Sequence, residues 1–246
     1  MSDQILGIQS WCFRKFKDNN TMLPMLKKCG VEAIELCGVH ADFSKPETFA
    51  PVVDTFKKHG VKIVSTGVNG IKGDEAQDRN NFEFLKASGA KHMSMVFSPD
   101  NLEKEIKVAE KLAEEYDVTL GIHNHGGAHW LGNAETLRWV FKKCSKRIGL
   151  SLDTAWALDA GEDPLKMMEE FKDRLFLVHM KDFAFDTARR LKDVVVGTGN
   201  IDLPAMKKTL SNAGFKGVYI IEYEGEPEDP VKPLTECVKS IKKALF

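Results

Sequence analysis

Short runs rich in aliphatic residues alternate with longer stretches of helical spacing from one end of the chain to the other. The short runs are ILGIQSW, VEAIEL, VKIVSTGV, HMSMVF, VTLGIHNH, IGLSLDT, LFLVHMKD and VYIIEYE. Runs of this length and character predict buried strands. Between them, Leu102, Ile106, Ala109, Leu112 and Tyr116 recur at steps of three or four, which predicts one apolar face of a helix. Asp100 and Glu103 read as a capping-box variant at its start. Asp163-Pro164 reads as a polar cap followed by proline at the first helical position. Gly30, Gly60, Gly89 and Gly214 each follow a helical segment, where glycine accepts the left-handed backbone that closes a helix.

Repeated strand–helix units imply parallel strands joined by right-handed crossovers. Eight such units in 246 residues predict an α/β fold, a (β/α)8 TIM barrel forming a single domain over residues 1–246. An open doubly wound sheet is the alternative, but no glycine-rich fingerprint follows the first strand. The longest irregular stretch is expected at residues 183–202, after the seventh strand. A loop of that length commonly covers a site, and Gly197 and Gly199 would let it bend.

Side chains alternate across a strand, so parity sorts the polar residues. Gly121, His123 and His125 share one face of the fifth strand, opposite Leu120 and Ile122. Ser151 and Asp153 oppose Leu150 and Leu152; His179 and Lys181 oppose Phe176, Val178 and Met180; Glu222 and Glu224 oppose Tyr219, Ile221 and Tyr223. The large apolar faces should meet the helices. The faces carrying His123, Asp153, His179 and Glu222 should then point into the barrel at the C-terminal ends of their strands, where barrels of this type keep their chemistry.

Imidazoles and carboxylates are ligands for a divalent metal. Mixed nitrogen and oxygen ligation leans towards Mn²⁺ or Zn²⁺, with Mg²⁺ or Fe²⁺ as further options. A metal there acts as a Lewis acid beside a substrate carbonyl. Taken singly, each histidine is better explained as a hydrogen-bonded core residue. Four inward polar groups ending consecutive strands are not, because burying them unpaired is costly. His123 is the expected nitrogen ligand on the fifth strand, with His125 as its substitute. Glu222 is expected to serve as ligand, base or both, and His123 or His125 as the second proton-transfer group. Lys181 is expected to bind a substrate oxyanion, or else to pair with Asp182 or Glu224. Glu35 and Gln9 face inward and are expected to hold sugar hydroxyls or to plug the barrel. Trp11, Trp156 and His125 are expected on the substrate side, and His129 and Trp130 on the wall or the surface. His40, His59 and His92 read as structural or exposed. Arg189 and Arg190 are a candidate anion site.

Composition narrows the partners. With 35 basic and 36 acidic residues the formal charge is −1, unlike the basic footprint of a nucleic-acid binder. No apolar run approaches the roughly 20 residues of a membrane helix, and the N-terminus has no secretory pattern, so a cytoplasmic protein is expected. Five cysteines without a C-x-x-C pair read as reduced, buried thiols. The expected partner is a small sugar or keto-sugar, with no nucleic acid and no membrane, and with a homo-oligomer left open.

The motifs IHNHGG, LDTAWALDAGEDP, LVHMKD followed by VVGTGNIDLPA, and IIEYEG resemble the xylose isomerase-like TIM-barrel superfamily, the sugar phosphate isomerase/epimerase group, over almost the whole chain. That resemblance implies a (β/α)8 barrel, a divalent metal, commonly Mn²⁺, and isomerisation or epimerisation of sugars through an enediol. It places the group's aspartate ligand on Asp153, its histidine ligand on His179 and its last glutamate on Glu222. Many relatives carry glutamate where this chain has His123, and histidine where it has Trp156. Loss of that glutamate argues against a symmetric two-base epimerase. A metal-dependent isomerase or epimerase is the first expectation. A keto-sugar or inosose lyase or dehydratase using the same metal site is the second, and a non-catalytic sugar-binding barrel the third.

Overall fold

The eight runs become the eight parallel strands of a closed barrel in the computed structural model, which describes residues 4–127 and 129–246. The strands are β1 (Ile5–Gln9), β2 (Ala33–Leu36), β3 (Lys62–Gly70), β4 (His92–Val96), β5 (Thr119–His123), β6 (Ile148–Asp153), β7 (Leu175–Met180) and β10 (Val218–Ile221). Their order round the barrel is β1-β10-β7-β6-β5-β4-β3-β2, and pairing of β1 with β2 completes the ring. The helices are α1 (Asn19–Lys28), α2 (Phe49–Lys58), α3 (Glu75–Ser88), α4 (Leu102–Glu115), α5 (Ala134–Phe141), α6 (Thr154–Asp159), α7 (Pro164–Glu170), α8 (Leu203–Asn212) and α9 (Val231–Leu245). The connection from β6 to β7 thus holds two short helices, α6 and α7. None of the described helices is long and apolar enough to cross a membrane.

Strand parity holds where the site is built. Leu177 and Ile220 belong to a small cluster inside the barrel with Ala33, Val64 and Val218. Leu120, Ile122, Leu150, Leu152, Val178, Met180, Tyr219 and Ile221 pack in the large cluster between sheet and helices. Each such buried aliphatic side chain stabilises the fold by about 1.5–3 kcal/mol. Phe176 departs from its expected outward position. It stacks on His92, with ring centroids 6.5 Å apart, and lies where a Cβ on Gly149 would meet it. The register between β6 and β7 shifts between Leu150 and Ser151, and an extra residue at such a bulge changes face. Beyond the shift, Leu177 and His179 return to the inward face.

Two helix starts test the capping readings. Asp163 caps α7 as expected, accepting the N–H groups of Leu165 and Lys166. Asp100 does not cap α4: residues Pro99–Asn101 form a 3-10 turn, and Asn101 stands at the cap without a side-chain bond. Gly30, Gly60, Gly89 and Gly214 all have positive φ, as their positions after helices require.

The stretch after β7 is ordered rather than irregular. Strands β8 (Asp182–Phe185) and β9 (Leu191–Val194) pair antiparallel as a hairpin outside the barrel. The Asp182 carboxylate then gathers the turn that follows, accepting the N–H groups of Gly197 and Gly199 at 2.9 Å, Asn200 at 2.8 Å and Ile201 at 3.2 Å. A side chain at Gly199 would bring its Cβ to 2.5 Å from Asp182 Oδ1. The hairpin sets Asp193 against the end of β10, where it accepts the Glu224 N–H at 3.1 Å.

Candidate metal centre

Four strand ends deliver four side chains to one point. One ligand atom from each of His123, Asp153, His179 and Glu222 lies within 4.8 Å of the others, and all four residues are buried. His123 Nε2 stands 3.1 Å from His179 Nδ1 and 3.7 Å from Asp153 Oδ2. His179 Nδ1 is 2.9 Å from Glu222 Oε2. Asp153 Oδ2 is buried without a hydrogen-bond partner, and Glu222 Oε2 has only His179 Nδ1 beside it. A desolvated carboxylate oxygen left unpaired is costly. Such an oxygen and a second carboxylate oxygen converging with two imidazole nitrogens fit a divalent cation, and the donor set matches ions that take mixed nitrogen and oxygen ligation.

Local structure holds each donor in place. Asp153 ends β6 and caps α6: its Oδ1 accepts the Trp156 N–H at 2.9 Å, which leaves Oδ2 for the cluster. Asn124, buried just past β5, clamps the two strand ends by accepting the Asp153 N–H at 2.8 Å and donating to the Asp153 carbonyl at 2.9 Å. Behind His179, Nε2–H donates to Glu35 Oε1 at 2.7 Å. That bond turns the Nδ1 lone pair towards the cluster, the arrangement by which outer carboxylates orient metal-binding imidazoles.

Of the two places expected of Glu35, the structure gives the plug within the barrel. It is fully buried and engaged by Gln9 Nε2 at 2.6 Å, Ser94 Oγ at 2.9 Å and His179. It supports a candidate ligand from below and offers nothing to a sugar. Gln9 is spent on Glu35 and on the Gly67 carbonyl at 3.0 Å. Replacing Glu35 with Gln should weaken metal binding by about 10–100-fold while the barrel still folds. Titration of the apo-protein with Zn²⁺ against a competing chelator measures this, and an unchanged affinity would refute the supporting role.

Lys181 takes the second of its two expected roles, the salt bridge. Its side chain is 1% exposed, and Nζ pairs with Glu224 while standing 3.7 Å from Glu222 Oε1 and 4.0 Å from Asp193 Oδ2. Of the two partners anticipated, Glu224 is realised, whereas Asp182 is taken up by backbone N–H groups. The ammonium also lies over the Trp156 ring, 5.2 Å from its centroid. Lys181 is thus a buried counter-ion beside the cluster instead of a group on the cavity wall.

The remaining candidates line a cavity above the cluster, together with His123 and Glu222. His125 lies past the end of β5, outside the four-residue group, and stacks on Trp156 at 4.4 Å between centroids. Trp11 donates its indole N–H to Glu224 Oε2 at 2.7 Å. His129 also faces the cavity, whereas Trp130 packs at the core edge with its indole N–H on the Phe97 carbonyl at 3.0 Å. His40 and His92 are held elsewhere, on the Phe16 carbonyl and the Thr119 hydroxyl. All five cysteines are free and buried. Asp193 was missed in the sequence because the hairpin that carries it was missed. The alternation of Phe183 and Phe185, followed by Leu191 and Asp193 across a polar turn, was the signal for it.

The charges are strongly coupled. Burial lowers the His179 pKa, but the Glu35 and Glu222 carboxylates outweigh it and push the imidazole up to about 10 from an ordinary 6.5. Burial raises the Glu222 carboxyl, yet Lys181 and His179 overcome that and hold it well below the usual carboxylate range. A raised histidine stabilises the fold fully below its unfolded pKa, and that contribution is lost as pH climbs through the folded value. Metal-free protein should therefore lose melting temperature between about pH 6.5 and 10. In metal-loaded protein the ion replaces the Nδ1 proton, so this loss should be absent. Thermal unfolding with and without Zn²⁺ across that range checks both halves, and parallel curves would contradict the assignment.

Comparison with known proteins agrees with this architecture. A family model described as a xylose isomerase-like TIM barrel matches residues 23–244. The rhizopine catabolism protein MocC of Rhizobium meliloti is 28% identical over 142 residues, covering 52% of this chain and 43% of that protein. An inosose dehydratase of Geobacillus thermodenitrificans is 26% identical over 130 residues, covering 47% and 44%. The chain spans about half the length of the curated relatives it matches. Among solved structures, a sugar phosphate isomerase/epimerase from Parabacteroides distasonis superposes with a TM-score of 0.77 at 15% identity, covering 100% of this chain and 96% of that one. The 3-keto-D-glucoside 4-epimerase YcjR from E. coli gives 0.74 at 16% identity, covering 98% and 100%. The IolI protein with a bound zinc atom gives 0.74 at 20% identity, covering 100% and 99%. At these identities the structural likeness is one of fold.

Proposed function

Because the chain belongs to the xylose isomerase-like TIM-barrel family, we propose that it is a divalent-metal-dependent enzyme that isomerises or epimerises a sugar or sugar derivative. The convergence of His123, Asp153, His179 and Glu222 on one point carries this reading. These four residues would hold the ion, with Mn²⁺ or Zn²⁺ suiting the donor set. When bound, the ion supplies Lewis-acid polarisation of a substrate carbonyl.

The chain's own residues do the rest. Glu222 and His123 both reach the cavity. Glu222, held ionised by Lys181 and His179, takes a proton from the carbon beside the carbonyl. The electron pair of that C–H bond moves to the carbonyl oxygen, giving an enediolate. His125, which also lines the cavity, returns a proton to the former carbonyl carbon while the hydroxyl proton of the first carbon passes to the former carbonyl oxygen, which yields an isomer, or to the opposite face of the first carbon, which yields an epimer. Trp11 and Trp156 bound the cavity and shield the reacting carbon from water. Glu35 holds His179, and Lys181 balances the carboxylates around Glu222.

A dehydratase reading is favoured by a separate observation. This chain has a histidine, His123, where a second carboxylate base would suit a symmetric epimerase, and curated relatives are named inosose dehydratases. In that reaction the same enediolate forms. A β-hydroxyl then leaves as water with a proton from His125, which lines the cavity. Incubating metal-loaded protein in D₂O with ketoses and with inososes tests both readings. Deuterium at the carbon next to the carbonyl with no loss of water supports the isomerase. Loss of water in the product mass supports the dehydratase. Neither exchange nor elimination from any of them would leave a binding barrel without catalysis.

A further inference from the structure

The run LDTAWALDAGEDP carries three acidic residues beyond Asp153: Asp159, Glu162 and Asp163. Asp163 caps its own helix, α7. The other two reach across to the connection between β5 and α5, which brings His125 and His129 to the cavity. Asn124 ties the inner end of that connection to the Asp153 backbone. Glu162 ties the outer end, its Oε1 accepting the Ala134 N–H at 2.9 Å. Between these two, Asp159 Oδ2 accepts the Gly127 N–H at 2.6 Å. A backbone N–H on a carboxylate is a charge-assisted bond, stronger than one between neutral groups.

The residues around this contact are shaped to it. A Cβ on Gly126 would stand 2.3 Å from Trp156 Cε3 and 2.5 Å from Asp159 Oδ2, so glycine is what lets the backbone lie this close to α6. Gly127 has φ +64°, the left-handed conformation that favours glycine. The turn beyond is folded on itself. The His129 N–H donates to the Gly126 carbonyl at 3.4 Å and the Gly132 N–H to the His129 carbonyl at 2.9 Å, while the Leu131 N–H donates to His129 Nδ1 at 3.3 Å. A segment closed in this way moves as one piece, so the tie at Gly127 sets where its side chains stand. The His125 ring lies on Trp156, with centroids 4.4 Å apart and planes at 25°, and 5.9 Å from the His129 ring. Trp156 and Asp159 are three residues apart on α6, the spacing that puts side chains on one helix face. That face thus gives an indole to His125 and a carboxylate to the backbone behind it.

We infer that Asp159 is a positioning residue for the reaction at this site: through the Gly127 N–H it holds the β5–α5 turn against α6 and so fixes the His125 imidazole at the cavity. The inference rests on the reading of His125 as the group that returns the proton. Asp159 itself stands outside the cavity lining and acts through His125. Proton transfer needs its donor within hydrogen-bond reach of the reacting atom, and a displacement of about 1 Å in such a group costs about 100-fold in rate. The metal ligands and the walls formed by Trp11, Val39 and Val68 do not depend on the tie. Its loss therefore falls on kcat and leaves KM largely unchanged.

The test compares Asp159→Ala, Asp159→Asn and Gly126→Ala with the natural chain, each as the Zn²⁺-loaded full chain with ¹³C-labelled histidine rings. His125→Gln assigns the His125 signals in the NMR spectrum. In the natural chain the His125 ring protons lie against the Trp156 face, and its ring current should shift them upfield. Asp159→Ala should return them towards the values of an unstacked imidazole. Asp159→Asn should keep most of the shift, because its amide oxygen still accepts the Gly127 N–H. Gly126→Ala leaves the carboxylate in place but forces the turn away from α6, and should lose the shift as Asp159→Ala does. Kinetics are then read with whichever ketose or inosose the natural chain turns over in D₂O. Asp159→Ala should lower kcat by about 10–100-fold with KM changed by less than about threefold, and Asp159→Asn should restore kcat to within about threefold. A His125 shift that stays unchanged in Asp159→Ala would overturn the inference, and so would an unchanged kcat in that variant. Absence of turnover by the natural chain would instead remove the carbonyl-sugar reading, and the ring shift alone would still decide whether Asp159 fixes His125.

Discussion

Asp153→Asn protein purified beside the natural chain should contain no stoichiometric Mn or Zn, whereas the natural chain should carry about one ion. The substitution keeps the size of the side chain and leaves an oxygen to cap α6 through the Trp156 N–H. It removes the charge of the buried Oδ2, which has no hydrogen-bond partner and points into the cluster. A metal affinity lower by more than about 100-fold is expected, since changes in the outer shell alone commonly cost 10–100-fold. Asp153→Ala should lose the metal equally and also about 1 kcal/mol of stability, the usual cost of a lost helix cap. His179→Ala should lose the metal as well, because it empties the centre of the cluster. Elemental mass spectrometry of the purified proteins gives the answer. Metal retained at full occupancy in all three variants, or none in the natural chain after soaking with Mn²⁺ and Zn²⁺, would remove the metal from the mechanism.

Lys181→Met should destabilise the metal-free protein by about 3–5 kcal/mol, the range seen when one partner of a buried ion pair is deleted. Methionine matches the length of the lysine stem, so packing against Trp156 and Phe183 is largely kept. What is lost is the one ammonium between Glu222, Glu224 and Asp193. Asp193 adds a pH dependence. Burial pushes its carboxyl up to about 7, against the pull of Lys181. A carboxyl raised above its unfolded value is more easily held protonated in the fold, so it costs stability once pH rises through the folded value. Without Lys181 that value moves higher still, and the deficit should deepen above pH 7. Urea unfolding of both proteins at pH 6 and pH 8.5 measures the effect. Adding Glu224→Gln to Lys181→Met should recover part of the loss by removing one of the stranded charges. A loss below about 1 kcal/mol at both values would mean that water, not Lys181, satisfies these carboxylates.

The barrel and its four-residue cluster were legible in the chain because both follow from local rules. The period of two along β5, β6, β7 and β10 sorts side chains by face, and parallel strands bring their C-terminal ends to the same side. His123, Asp153, His179 and Glu222 could therefore be placed together before any contact was known. His123 was separated from His125 only by the structure, because the choice depends on where β5 ends and the chain turns outward. Phe176 was misplaced because a register shift is a property of two strands, not one. The hairpin β8–β9 was missed because its order comes from Asp182 gathering backbone N–H groups from 15 to 19 residues away.

Strand alternation is a property of the backbone at each residue, so the chain by itself determined the fold class and, Phe176 apart, the inward faces of the strands that carry the site. What each polar group does with its partners was decided only by closure of the barrel. Glu35 meets His179 across 144 residues of chain, and Lys181 meets Glu224 across 43. Neither pairing leaves a periodic trace in the sequence. The desolvation that makes each pairing obligatory exists only once the ring of strands has shut out water.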